Sequence, residues 1–314
     1  MQNKFSVKIP GINLKNPVII ASGPLIHGEY FNSIYDLATL GAITTKTVTY
    51  LPKEGNNTPR FAEIDGGYIN AIGLKNIGIK KFVETKIEFL DSMNVPVITS
   101  IAGNSIEEYV EMVEMLDNIQ VINAIELNVS CPNVKKDSII MTSNYDYLKE
   151  LIIKVKAATK KPIYIKMSPT EPDIVQTAKV CKDAGADALT MINGLSGMKI
   201  DINSMEPVLS NKFGGVSGSF LKPLAIKTVY QVSNEVDIPI IGVGGVCSTD
   251  DVIEMLMAGA TAVGIASANM WDPLICYKIV NQLGDRLKEL GYESVEELIN
   301  KVKKTRNWYK LKNK

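Results

Sequence analysis

The chain has 314 residues, 46% of them apolar and 22% charged, the mix of an ordinary soluble globular protein. Lys+Arg and Asp+Glu balance at 34 each, so no overall field draws the chain to nucleic acid or to an acidic membrane surface. No apolar run reaches ~18 residues and the opening MQNKFSVKIPG lacks the features of a secretion signal, so no membrane span and a cytoplasmic location are expected.

Short β-branched runs alternate with longer helical patterns. In chain order, strands are predicted over 17–22 (PVIIAS), 42–46 (AITTK), 96–101 (PVITSI), 124–129 (AIELNV), 162–167 (PIYIKM), 188–192 (ALTMI), 239–243 (PIIGV) and 262–266 (AVGIA). Most are uniformly apolar, as strands covered on both faces should be. Helices are predicted between them over 31–40, 79–92, 105–117, 145–158, 173–184, 222–236 and 249–257. Gly41, Gly185 and Gly259 each read as a left-handed helix stop just before a strand. Pro96, Pro162 and Pro239 open strands, where a missing N–H is tolerated.

Eight strands in this alternation predict an α/β fold, a (β/α)8 TIM barrel forming one domain over 1–314; an open doubly wound sheet is the alternative. Inserts at 51–78 and 196–221 are expected as loops or small hairpins at the C-terminal face of the strands. Within the first, 60–73 reads as a hairpin turning at Asp65-Gly66. Residues 285–314 read as a C-terminal helical extension, and the basic run at 301–314 as a solvated helix end or a docking surface.

Scarcity excludes several chemistries. The one histidine, His27, lies in a predicted loop and reads as structural or solvated, so no histidine-rich metal site is possible. The cysteines Cys131, Cys181, Cys247 and Cys276 share no CxxC spacing, so the chain encodes no zinc knuckle and no iron–sulfur site. No metal is expected.

Barrel enzymes place their chemistry at the C-terminal ends of the strands. There this chain sets Ser22-Gly23, Lys46, Ser100, Asn128 with Cys131, Lys166, Asn193-Gly194, Gly244-Gly245 and Ala266-Ser267. Gly244-Gly245 lets backbone N–H groups approach an anion closely. The amides of Asn70, Asn76, Asn128, Asn133 and Asn193 both donate and accept, which suits a flat ring with alternating C=O and N–H, such as a pyrimidine. The two lysines suit a carboxylate or the electron-rich edge of a reduced cofactor. Cys131, in the polar loop NVSCPN, reads as a nucleophile or a proton-transferring base.

The segments TKTVTYLPKEGNNTPRFAE (45–63), NAIGLKNIG (70–78), ELNVSCPNV (126–134), IKMSP (165–169), GGVSGSFLKP (214–223) and GVGGV (242–246) resemble the class 1 dihydroorotate dehydrogenases, above all the type B, NAD-linked catalytic subunit. The resemblance implies an FMN-bearing barrel that oxidises dihydroorotate to orotate in pyrimidine biosynthesis. It implies that Cys131 is the catalytic base at the substrate C5 while a hydride passes from C6 to flavin N5. It assigns substrate binding to Lys46, Asn70, Ala71, Ile72, Gly73, Leu74, Asn128, Asn193 and Gly194. It assigns FMN contacts to Ser22, Lys46, Thr47, Ser100, Asn128, Lys166, Ile192, Gly218, Gly244, Gly245, Ala266 and Ser267. The partners it implies are a second copy in a homodimer, or a heterotetramer with a subunit carrying FAD and an iron–sulfur cluster. Type A members use fumarate instead of NAD.

The chain departs from that pattern at Gly194 (Thr or Ser expected), Ser100 (Asn), Ala266 (Gly), the lid sequence KKDSIIM and Ser219-Phe220 (Pro-Ala). Another dihydropyrimidine or a cyclic enone as substrate is therefore an alternative. A Schiff-base lyase using Lys166, or a non-catalytic barrel binding a phosphorylated ligand, is an alternative of a different class.

Overall fold

A computed structural model describes residues 4–24, 28–129 and 144–312. Eight parallel strands run in chain order: β1 (Val18–Ile20), β2 (Ala42–Thr44), β3 (Val97–Ala102), β4 (Ile122–Asn128), β5 (Ile163–Lys166), β6 (Ala188–Met191), β7 (Ile240–Val243) and β8 (Ala262–Ile265). Each pairs with the next, and β8 pairs with β1 through Gly264 opposite Ile19, so the sheet closes on itself. The strands are almost wholly buried, as a barrel with helices outside and packed side chains within requires. The (β/α)8 expectation holds, and the open sheet is excluded by the closure.

The helices are α1 (Ile79–Ser92), α2 (Ile106–Asp117), α3 (Tyr145–Ala158), α4 (Ile174–Asp183), α5 (Lys222–Glu235), α6 (Thr249–Met257), α7 (Ile275–Glu289) and α8 (Val295–Lys312). Ser105, Asn144, Asp173 and Ser248 cap α2, α3, α4 and α6 by accepting a backbone N–H. Each such cap contributes about 1 kcal/mol.

Two expectations need correction. The helix predicted over 31–40 is instead a short turn, Glu29–Asn32, followed by a 3-10 turn, Leu37–Thr39. Asp36 separates them, because its extended backbone lets the side chain accept from the Ala38 N–H, a local bond that competes with helix. Gly41 is not a left-handed stop. A Cβ there would run into the Asn16 carbonyl, so close approach and not backbone angle requires glycine.

The 60–73 hairpin forms as expected, from Phe61–Ile64 and Gly67–Asn70. It joins Leu195–Gly197 and Gly214–Gly218, from the second insert, in one four-stranded antiparallel sheet. Tyr68 stacks on Trp271, centroids 4.6 Å apart, which fastens this sheet to the segment after β8. At the opposite end, an unforeseen N-terminal hairpin (Val7–Ile9 with Ile12–Leu14) meets the barrel: the Tyr164 hydroxyl of β5 donates to the Pro10 carbonyl. No helix among the described residues is long and apolar enough to cross a membrane.

Candidate active site

Side chains that leave the strand ends meet in one hydrogen-bonded chain. The Ser22 and Thr47 hydroxyls lie 3.3 Å apart, and Thr47 and Ser100 3.0 Å apart. Asn128 Nδ2 donates to Thr47 Oγ1 at 3.3 Å, and Asn193 Nδ2 donates to Asn128 Oδ1 at 3.3 Å. Contributions from the ends of β1, β2, β4 and β6, and from within β3, therefore converge. Bonds that skip over an intervening strand form only across the inside of a barrel, which fixes Asn128 as inward-facing. Tyr109 of α2 donates to the Asn128 carbonyl at 3.2 Å and holds the strand end.

Two lysines flank this chain. Lys46, half-buried after β2, has its pKa lowered, first by burial and then by the positive charge of Arg60. Arg60 was not singled out from sequence. Its guanidinium donates to the Glu54 and Asn56 carbonyls, so the first insert holds a second cation near Lys46. Lys166, the last residue of β5, is buried, with Nζ 3.9 Å from Glu126 Oε1. Glu126 belongs to no sequence pattern for a site, although strand alternation puts it on the same inward face as Asn128. Its Oε1 and the Thr190 Oγ1 are buried without a hydrogen-bond partner among the described residues.

The segment 70–74 lies beside the mouth. Asn70 Nδ2 donates to the Gly215 carbonyl at 3.3 Å. Ala71 is fully buried, its N–H donating to Arg60 and its carbonyl accepting from Asn56. Ile72 accepts from the Asn56 N–H. Gly73 and Leu74 are both left-handed, with φ of 71° and 54°; the second is an uncommon geometry for a leucine. Asn76 is fully engaged, accepting from the Thr49 and Gly78 N–H groups and donating to Thr49 Oγ1 and the Leu74 carbonyl. It fastens this loop and does not present a free amide.

Across the mouth, Gly244 and Gly245 follow β7 with φ of 134° and 71°. A Cβ on Gly245 would run into the Lys222 backbone nitrogen at the start of α5, so this loop lies hard against a helix N-terminus. Ile192, buried after β6, packs beside Gly244. Gly218 ends the strand Gly214–Gly218 opposite Gly67, and Ser267 precedes the short helix Ala268–Trp271.

The departures have structural answers. Ala266 does not adopt positive φ, so its Cβ brings no backbone strain. Ser100 is fully buried, with its hydroxyl directed to Thr47. The Gly194 N–H is already donated to Asn193 Oδ1 at 2.9 Å. Cys131, His27, Asn133 and the KKDSIIM segment lie outside the described residues. Burial pushes the Cys181 and Cys276 thiols up to about 12, and burial together with Asp251 raises Cys247, so these three hold their protons at neutral pH. No group of His, Cys, Asp or Glu among the described residues could hold a metal ion.

Comparison with known proteins agrees with this geometry. Residues 4–287 match the family model for dihydroorotate dehydrogenase. The chain is 45% identical over 308 residues to the protein named dihydroorotate dehydrogenase B (NAD(+)), catalytic subunit, of Geobacillus sp. (strain WCH70), covering 98% of this chain and 97% of that one. It is 46% identical over 303 residues to the Geobacillus kaustophilus protein of the same name (96% and 97% covered). It is 44% identical over 295 residues to that of Bacillus cytotoxicus (94% and 96% covered). The chain therefore belongs to the dihydroorotate dehydrogenase family of oxidoreductases, in the class 1 branch that includes the type B catalytic subunits.

Proposed function

We propose that this chain binds FMN and oxidises dihydroorotate to orotate in pyrimidine biosynthesis, as the catalytic subunit of a type B enzyme. The observation that carries the reading is the chain Ser22–Thr47–Asn128–Asn193 at the barrel mouth, in a protein about 45% identical to type B subunits along nearly its whole length.

The residues suit FMN. Backbone N–H groups at Gly244-Gly245, beside the start of α5, suit its phosphate. Lys166 and the orphaned Thr190 hydroxyl offer polar partners to the ring. When bound, FMN supplies a hydride acceptor. Asn70, Asn128 and Asn193 hold the amide edges of the substrate ring, each side chain offering a donor and an acceptor. Lys46, with Arg60 behind it, holds the substrate carboxylate. Cys131 takes the proton from C5, the C5–H electron pair becomes the C5=C6 bond, and the hydride leaves C6. The remaining assigned positions, Ala71 to Leu74, Gly194, Ile192, Gly218, Ala266 and Ser267, shape the site through their backbone. Electrons reach NAD through a second subunit with FAD and an iron–sulfur cluster, for which this chain carries no cluster motif.

Purified protein supplied with FMN should be yellow and should bleach anaerobically with dihydroorotate but not with dihydrouracil. A preparation that takes up no FMN overturns the reading, and bleaching by dihydrouracil would move the substrate to another dihydropyrimidine. The lyase alternative is disfavoured by the family match, which is to oxidoreductases. Borohydride trapping of Lys166 with substrate would revive it.

A further inference from the structure

Glu126 and Lys166 are the only charged side chains buried on the barrel strands among the described residues. They sit on neighbouring strands, β4 and β5, with 3.9 Å between Nζ and Oε1. That gap is too long for a hydrogen bond, and Oε1 has no other partner. Register places Lys166 between Asn128 on one side and Thr190 on the other. Glu126 lies two residues before Asn128, one layer deeper, opposite Ser100 and Tyr164. A carboxylate buried this deeply is strongly unfavourable unless a cation compensates it.

We propose that Glu126 is a positioning residue for the flavin reaction: it is the buried counter-ion that seats the Lys166 ammonium and preserves its charge where it would serve bound FMN. The proposal rests on the FMN reading above. The groups facing Lys166 from the elements around it are Glu126 on β4, the uncharged Asn128 and Thr190 on β4 and β6, and Tyr164 on its own strand, which is turned to Pro10. Lys46 and Arg60 stand at the mouth. No other described anion is buried on the strands, so removing Glu126 leaves Lys166 without a counter-charge. A buried charge left without its partner is strongly unfavourable.

The test compares the midpoint potential of bound FMN in the wild type, Glu126→Gln and Glu126→Asp from pH 5.5 to 9.5. The potential relative to free FMN measures the ratio of affinities for reduced and oxidised flavin. In Glu126→Gln that ratio, taken relative to wild type, should fall at least tenfold across the range, about 30 mV for a two-electron couple. In Glu126→Asp, which keeps the charge, it should stay constant within twofold. A ratio constant within twofold in Glu126→Gln overturns the proposal. If Glu126→Gln does not fold, the double variant Glu126→Gln/Lys166→Met decides. A folded, FMN-binding double variant supports the counter-ion role, because both charges are gone; failure of both variants overturns it. A wild-type protein that takes up no FMN is recognised first and removes the flavin reading together with this one.

Discussion

Asn193 donates its side-chain amide to Asn128 across the barrel mouth, tying the end of β6 to the end of β4 at 3.3 Å. The same Asn128 donates to Thr47, so one amide bridges two halves of the site. Asn128→Ala should therefore cost more than one contact. The expected outcome is a loss of at least ~100-fold in the rate of flavin reduction by dihydroorotate, from removing a polar group positioned for the transition state. A double-mutant cycle with Asn193→Ala should give a coupling of about 0.5–3 kcal/mol in substrate binding. Additive effects in stopped-flow reduction and binding would show that the bond between them contributes nothing.

Lys46 gives a pH signature. Burial and the Arg60 charge lower its pKa, so its positive charge is lost earlier than usual as pH rises. The KM for dihydroorotate should rise on the alkaline side, below the ordinary lysine range. Arg60→Gln removes one of the two causes, so the midpoint of that alkaline limb should move to higher pH even if KM itself worsens. The matching stability effect has the opposite sense: because the folded state holds this proton less tightly, stability increases as pH rises through the lowered value. A limb that Arg60→Gln leaves in place would break the link between the two cations.

Cys131 is tested as the base without reference to its surroundings. A thiol with an ordinary pKa of ~8.5 is only slightly ionised at neutral pH, so anaerobic flavin reduction should accelerate from neutral to ~pH 9. Cys131→Ala should keep FMN and lose most of the reduction rate. A flat profile, or wild-type speed in the variant, would take Cys131 out of the base role.

The loop after β7 predicts an asymmetry between two glycines. Gly245→Ala forces a Cβ into a left-handed residue and against Lys222, at a cost of about 1–3 kcal/mol, and should weaken FMN binding. Gly194 is not left-handed, and its Cβ would meet the Val216 carbonyl at 3.3 Å, so Gly194→Ser should fold with a small change in stability. Urea denaturation and FMN titration of both variants check the pair. Equal losses would deny the Gly245 loop its special geometry.

The barrel was readable because its strands are apolar runs opened by Pro96, Pro162 and Pro239 and repeated at helix-length spacing. The hairpin turning at Asp65-Gly66 was readable from its turn chemistry. The break at Asp36 was not, because a helical apolar pattern continues through it and only a local side-chain bond decides. Of the candidate site, the polar strand ends were legible singly, but nothing in a linear pattern says that Ser22, Thr47, Asn128 and Asn193 bond to one another. Arg60 was hidden in an insert whose path depends on tertiary packing. Glu126 was in plain view within ELNVSCPNV, and its strand parity with Asn128 was the signal that pointed inward.

The ribbon from Val7 to Leu14, held to Tyr164 at the foot of the cylinder, has a consequence for traffic. With the hairpin at that end, the bonded side chains of the site stand at the other. A ligand of the polar chain that runs from Ser22 to Asn193 would come and go over that one rim.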